Sequence, residues 1–358
     1  MDFSETYSEG IIKDIIFVNK NKYNPLIQPT IRDIELDSIE EHSGSLIKIY
    51  SSSDFSSIKC LFNENSVLYG KLRPYLRKYY APSFVGSCSS EFWVLESFKL
   101  TQKYLYYYVQ TDYFNLLCNK TCGTKMPRAD WGIIASNTIL YPSTEEQSKI
   151  CVFLGLIDKK TELLKKKIDI LKKYKKGFIE NFINNRLQND FLELYKIVKY
   201  SQSTVLANNI IEGNKYPVYD ASGKSFILTN TNKTKEKSIA IIKYGSSCGR
   251  TFLTSGEHTV LGTMGEMIPF DDKLLKYIYS FTTTAYFNRI IHKYVEIGTT
   301  PNLYFSDYGK AIVPIFSEHE INVFNNVFDK INFKIMSYED KLVLIKKIKK
   351  DMLKNLFI

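Results

Sequence analysis

Residues 144–186 read TEEQSKICVFLGLIDKKTELLKKKIDILKKYKKGFIENFINNR. From Ile150 onward, one set of positions steps by four and three: Ile150, Leu154, Ile157, Thr161, Leu164, Ile168, Leu171, Lys175, Phe178 and Phe182. That spacing is a heptad seam, one face of a long helix set aside for a partner helix. The seam returns in phase 174 positions later as Phe324, Phe328, Ile331, Ile335, Tyr338, Leu342, Ile345, Lys349, Met352 and Leu356. The polar interruption Lys175 has its counterpart in Lys349, and the tails LKKYKKGFIENFI and IKKIKKDMLKNLF overlay residue by residue. A single apolar stripe is ordinarily the face an amphipathic helix packs on its own domain. Two stripes in one phase, at the two ends of a duplicated chain, point to pairing with each other.

Length sets the direction of that pairing. Helices of roughly 40 residues are about 60 Å long, whereas the roughly 125 residues between them form a globule only about 35 Å across. A parallel pair would require that globule to bridge the whole length, so an antiparallel pair is predicted. The expected architecture is α+β, with a globular part at 1–143, a long helix at 144–187, a second globular part at 188–316 and a second long helix at 317–358.

The 358 residues are 44% hydrophobic and 14% aromatic, enough to bury two cores, which excludes a disordered or fibrous chain. No apolar run reaches the about 18 residues a membrane span needs, and MDFSETYSEG lacks the basic flank and apolar stretch of a signal peptide. A soluble, cytoplasmic protein is expected. Cys60, Cys88, Cys118, Cys122, Cys151 and Cys248 are scattered, and His42, His258, His292 and His319 are isolated, so neither a disulfide framework nor a metal site is expected. A net charge of +10 favours a polyanionic partner. Much of that excess lies on the long helices, where a solvated face is the ordinary reading of a lysine run.

Along the first globular part, SLIKIYSSSDF, SVLYGKL and SSEFWVLES read as strands. Thr101–Asn119 reads as one helix, and IIASNTILYP as a strand leading into the long helix. Thr144 and Gln147 have the form of a capping box. The second part repeats the order: a strand in KSIAIIKY, more strand in TFLTSGEHTVLGTMGEMIP, a helix in KLLKYIYSFTTTAYFNRII, and a Gly-Thr loop before Pro301 where Gly123-Thr124 precedes Pro127.

Taken in order, VLYGKLRPYLRK, SSEFWVL, the GT-x-x-P loop, LYPSTEEQSKICVFLGLID and LKKYKKGF resemble the specificity subunits of type I restriction-modification systems. The resemblance spans essentially the whole chain. It implies that each globular part is a target recognition domain reading one half of a split duplex DNA site. The paired helices would then serve as ruler and docking surface for two modification (methyltransferase) subunits. Restriction/translocase subunits complete such a complex. S-adenosylmethionine, ATP and Mg are expected in those partner subunits and none in this chain, which is expected to be non-catalytic.

Two tethered, similar basic domains independently suit a bipartite site. The DNA-binding candidates are Lys71, Arg73, Arg77 and Lys78 among tyrosines, then Lys125 and Arg128, with Lys243, Arg250, Asn302 and Tyr304 as second-domain counterparts. The helix-pair candidates are Ile150, Leu154, Ile157, Leu164, Ile168, Leu171, Phe178, Phe324, Phe328, Ile331, Ile335, Leu342, Ile345 and Met352. Two departures stand out. His319-Glu320-Ile321 replaces Glu145-Glu146-Gln147 at the second helix start, so a cap and a partner contact there are less directly implied, and the second domain has no Arg-Pro pair like Arg73-Pro74. Among rival functions, a phosphate loop at Gly223-Lys224-Ser225 fails because Val218 stands where its first glycine belongs. No Asn/Asp-Pro-Pro-aromatic methyltransferase motif occurs. The alternative is a coiled-coil interaction protein whose basic domains bind RNA or protein.

Overall fold

The structure is a computed structural model that describes residues 7–120, 126–184, 190–210, 212–213, 215–229, 234, 236–254, 256–295 and 301–357. The chain divides into two compact units, Met1–Lys165 with Asp340–Ile358, and Lys166–Glu339, so each unit contains the start of one long helix and the end of the other. No described helix is long and apolar enough to cross a membrane.

Both units are built on one plan. In the first, an antiparallel sheet runs Ile16–Val18, Phe92–Ser97, Val67–Gly70, Tyr79–Tyr80; in the second it runs Val198–Gln202, Met264–Pro269, Ile239–Ile242, Thr251–Leu253. The central strands VLYG and IAII are buried throughout, as continuous apolar runs flanked on both sides should be. Each unit has a second sheet containing one parallel pair, Asp33↔Ser87 in the first and Val218↔Thr259 in the second. Each also closes with a short antiparallel ladder before its long helix: Ser8–Ile11 on Thr138–Tyr141, and Phe191–Glu193 on Ile312–Pro314.

The single helix expected over 101–119 is two, Gln102–Tyr108 and Asp112–Asn119, and the second unit breaks likewise into Leu275–Phe281 and Ala285–Tyr294. The break is chemical. Thr111 Oγ1 accepts from Phe114 N and donates to Tyr108 O, and Thr284 does the same with Phe287 N and Phe281 O, ending one helix and capping the next. Within the expected strand at 133–142, Trp131–Ala135 is helical, started by Asp130 accepting from Gly132 N, and only Thr138–Tyr141 is strand.

The long helices are Thr144–Asn184 and Glu318–Leu356; residues 185–187 of the expected first helix lie outside the described residues. The first cap sits one residue earlier than expected, with Ser143 Oγ accepting from Glu146 N at 3.3 Å. Gln147 does not reach back to the cap. It is buried, accepting from Thr101 N and donating to Lys99 O and Pro142 O, which fastens the helix start to the globular part. The second start, where the sequence implied a cap less directly, carries the complete reciprocal box: Glu320 N donates to Ser317 Oγ, and Ser317 N donates to the Glu320 carboxylate.

Within each unit the two helices run antiparallel. In the first, Ile150 and Leu154 share a core with Leu353, Leu356 and Phe357, and Ile157 and Met352 pack against it. In the second, Phe178 stacks on Phe324 at 5.3 Å, and Ile179 and Ile183 share a core with Phe324 and Phe328. Leu164, Ile168, Ile331, Ile335 and Ile345 are buried, while Leu171 and Leu342 are half-buried. The two seam lysines have partners at corresponding positions of the sequence repeat. Lys349 Nζ lies 2.7 Å from Asp158, and Lys175 Nζ donates to Asn332 at 2.8 Å, each partner displaced by the same 174 positions as the lysines. A polar group at one seam position fixes register. Lys175 has an amide where Lys349 has a carboxylate, and burial lowers its pKa. Asn332→Asp is expected to complete the ion pair and stabilise the second unit by about 1 kcal/mol, since a carboxylate gives the partly buried Lys175 ammonium the opposite charge that the amide lacks. Thermal unfolding at neutral pH checks this; an unchanged or lower melting temperature contradicts it.

Candidate nucleic-acid interface

In each unit the loop that follows the central strand is held by one skeleton of backbone hydrogen bonds. Gly70 N donates to Lys78 O, and Ile242 N to Arg250 O. Lys71 N donates to Glu91 O, and Lys243 N to Thr263 O. Arg73 N donates to Pro127 O, and Gly245 N to Pro301 O, beside the bridges Leu72↔Arg128 and Tyr244↔Asn302. These bonds make Lys71 equivalent to Lys243, Arg73 to Gly245, Lys78 to Arg250 and Arg128 to Asn302. Tyr304 precedes the short helix Phe305–Tyr308, in the place Asp130 takes before Trp131–Ala135. The loop after the central strand and the loop before the long helix are therefore joined in both units, although about 50 residues separate them in sequence.

The candidate cations are not equally available. Arg128 makes a two-pronged pair with Glu91, Nε and Nη2 each 3.1 Å from a carboxylate oxygen, which raises its pKa. Arg77 donates to Asp112 at 2.8 Å, with Lys350 at 3.8 Å on the other carboxylate oxygen. Lys78 Nζ caps the carbonyl of Leu36. Lys125 lies outside the described residues. Lys71 is half-buried and Arg73 exposed, and neither side chain meets an acceptor among the described residues. Glu91 and Asp112 are the residues that sequence reasoning missed. Nothing in the chain order signals their pairing with Arg128 and Arg77.

In the second unit the pattern shifts. Lys243 is 3% exposed, its ammonium has no hydrogen-bond partner among the described residues, and burial lowers its pKa. Among the described residues it presents no exposed head to a phosphate. Arg250 is exposed, with its guanidinium 5.3 Å above the Phe252 ring. Asn302 Oδ1 accepts from Leu303 N, and Tyr304 is 48% exposed. Among the described candidates, the cationic heads left without an acceptor are thus Lys71 and Arg73 in one unit and Arg250 in the other. An exposed guanidinium contacts either phosphate or the edge of guanine. No group of three metal-ligating side chains occurs among the described residues.

Residues 14–173 match the family model of the type I restriction modification DNA specificity domain. No curated protein matches the chain by sequence. Among solved structures, the chain is similar to one from a study of complex assembly and conformational transition of the type I R-M system, at 11% identity and a TM-score of 0.64, covering 99% of this chain and 98% of that one. It is also similar to the S subunit of the type I restriction-modification system from M. genitalium, at 17% identity and a TM-score of 0.61, covering 99% and 96%. At these identities the likeness is one of fold, and it extends over both units.

Proposed function

We propose that this chain, whose residues 14–173 match the family model of the type I restriction modification DNA specificity domain, is a specificity subunit whose two units each read one half of a split duplex DNA site. The observation that carries this is the pair of equivalent loops. One backbone skeleton presents different side chains in the two units, as the reading of two different half-sites requires. The chain acts in the cytoplasm without catalysis of its own. Methyl transfer with S-adenosylmethionine belongs to two modification subunits, and ATP- and Mg-dependent cleavage to the restriction/translocase subunits.

The long helices supply the docking surface. On the first helix Leu156, Leu163 and Ile170 recur every seven residues on the side away from the seam and are 61, 49 and 64% exposed. A repeating apolar stripe left in water suits a protein partner. Co-expression with a modification subunit in a methylation-free host, followed by mapping of N6-methyladenine across the genome, tests the whole reading. A split methylated motif that disappears when this chain is omitted is expected. A stable complex that methylates no motif would leave a non-specific scaffold, and RNA retained in place of duplex DNA would favour the interaction-protein alternative.

A further inference from the structure

The turn Pro74–Leu76 is bounded by two arginines in the left-handed region, Arg73 at φ 52° and ψ 60° and Arg77 at φ 47° and ψ 54°. Non-glycine residues rarely adopt this conformation, because the Cβ crowds the following carbonyl. The second unit builds the same turn with Gly245 and Gly249, at φ 89° and 85°. At Gly249 a side chain is excluded twice over, since a Cβ there would stand 2.2 Å from Ile291 Cγ2. At Gly245 the space is open, with nothing within 4 Å of the Cβ position. Crowding therefore does not explain glycine at 245, and the backbone does not explain arginine at 73. Glycine suits this conformation better, yet the first unit places a guanidinium there, exposed and with no acceptor among the described residues, while its neighbour Arg77 is bound to Asp112. Strain kept against the easier residue points to function.

We infer that Arg73 is a specificity-determining residue that reads a guanine in the half-site bound by the first unit, and that the second unit has no equivalent reader at Gly245. A phosphate contact is common to every duplex and gives two similar units no reason to differ. A base contact differs because the half-sites differ. Arginine makes its two-pronged bond to guanine O6 and N7, and the fixed backbone supports it: Arg73 N is tied to Pro127 O, Arg73 O accepts from Leu76 N, and Pro74 is buried. This inference rests on the reading of the chain as a DNA specificity subunit.

The test is the Arg73→Gly chain, assembled with the modification subunit and compared with wild type by methylation mapping and by binding of synthetic duplexes that carry the wild-type motif with single base pairs changed. The expected result is a motif relaxed at one G·C pair of one half, with discrimination there reduced about 5- to 150-fold and the other half unchanged. Thermal stability should not fall, because glycine suits the conformation. Should methylation vanish altogether, the duplex series still decides. A uniform loss across all duplexes, with a salt dependence shallower by about one ion, makes Arg73 a phosphate contact and overturns the inference. An unchanged motif, or a lowered melting temperature with unchanged binding, overturns it too. If the wild-type complex itself methylates no split motif, it is the specificity reading that fails.

Discussion

Replacing Glu266 by alanine is expected to destabilise the second unit by about 3–5 kcal/mol, the cost of leaving a buried ionic partner alone. Glu266 is 4% exposed, on the strand Met264–Pro269 at the middle of its sheet, and its carboxylate gathers three segments. Ser238 and Thr234 each donate to it at 2.7 Å, and His258 Nε2 lies 2.8 Å from Oε1. His258 Nδ1 faces the carbonyl of Gly256 at 2.7 Å, so the ring lies between that carbonyl and the Glu266 carboxylate. Burial alone raises the pKa of Glu266, but the bonds from His258, Ser238 and Thr234 outweigh it and hold the carboxyl below its ordinary value. A carboxyl whose folded pKa is depressed contributes stability above its unfolded value, near 4.5, and loses it as pH falls through the folded one. The gap between wild type and Glu266→Ala, measured by urea unfolding, should therefore be full at pH 7 and narrow in acid. A gap that stays constant from pH 7 to 3 would show that the carboxylate's charge is not what stabilises the network.

This network was invisible in the sequence, and the reason is physical. MGEMIP reads as a strand with one outward polar residue, because alternation carries no record of a second layer covering that face. The strand pairing sets Val94 of the first unit where the second has Glu266, and Val94 is buried among Ile34, Cys60 and Phe62. His258 looked isolated because its partner lies eight residues away across a turn. By contrast, the long helices and their registered seam were legible, since a heptad repeated over several turns leaves a dense local signal. The shared plan of the two units was legible through element order. The helix breaks at Thr111 and Thr284 were not: Tyr, Phe and Leu continue across them, and only the shared Thr-x-Tyr-Phe run marks the cap. Nor does the letter for arginine record a left-handed backbone, so Arg73 stood out for its charge while its conformation became apparent only in the loop. The pairing of Arg128 with Glu91 separates charges that look available in sequence from those that are.

Phe324→Ala is expected to cost about 3–5 kcal/mol, the range for truncating a fully buried phenylalanine, and, on the proposed reading, to remove recognition of one half-site while sparing the other. Phe324 belongs to the seam, yet it is completely buried because it is also the centre of an aromatic cluster. Phe178 stacks on it at 5.3 Å and Phe182 lies at 4.8 Å, both from the first long helix; Phe328 lies at 5.9 Å along its own helix, and Tyr277 meets it edge-on at 5.8 Å from the globular part. The cavity left by alanine would loosen the helix pair and the sheet-covering helices together, so in this unit helix pairing and core formation are one cooperative event. The core of the first unit contains none of these residues. Calorimetry should accordingly resolve a lower-temperature transition for the second unit, while the transition of the first stays in place. On the proposed reading, the motif should lose the half read by the second unit and keep the other. A single transition shifted as a whole would show instead that the two units unfold as one, and a loss below about 1 kcal/mol would mean that the cluster repacks around the gap.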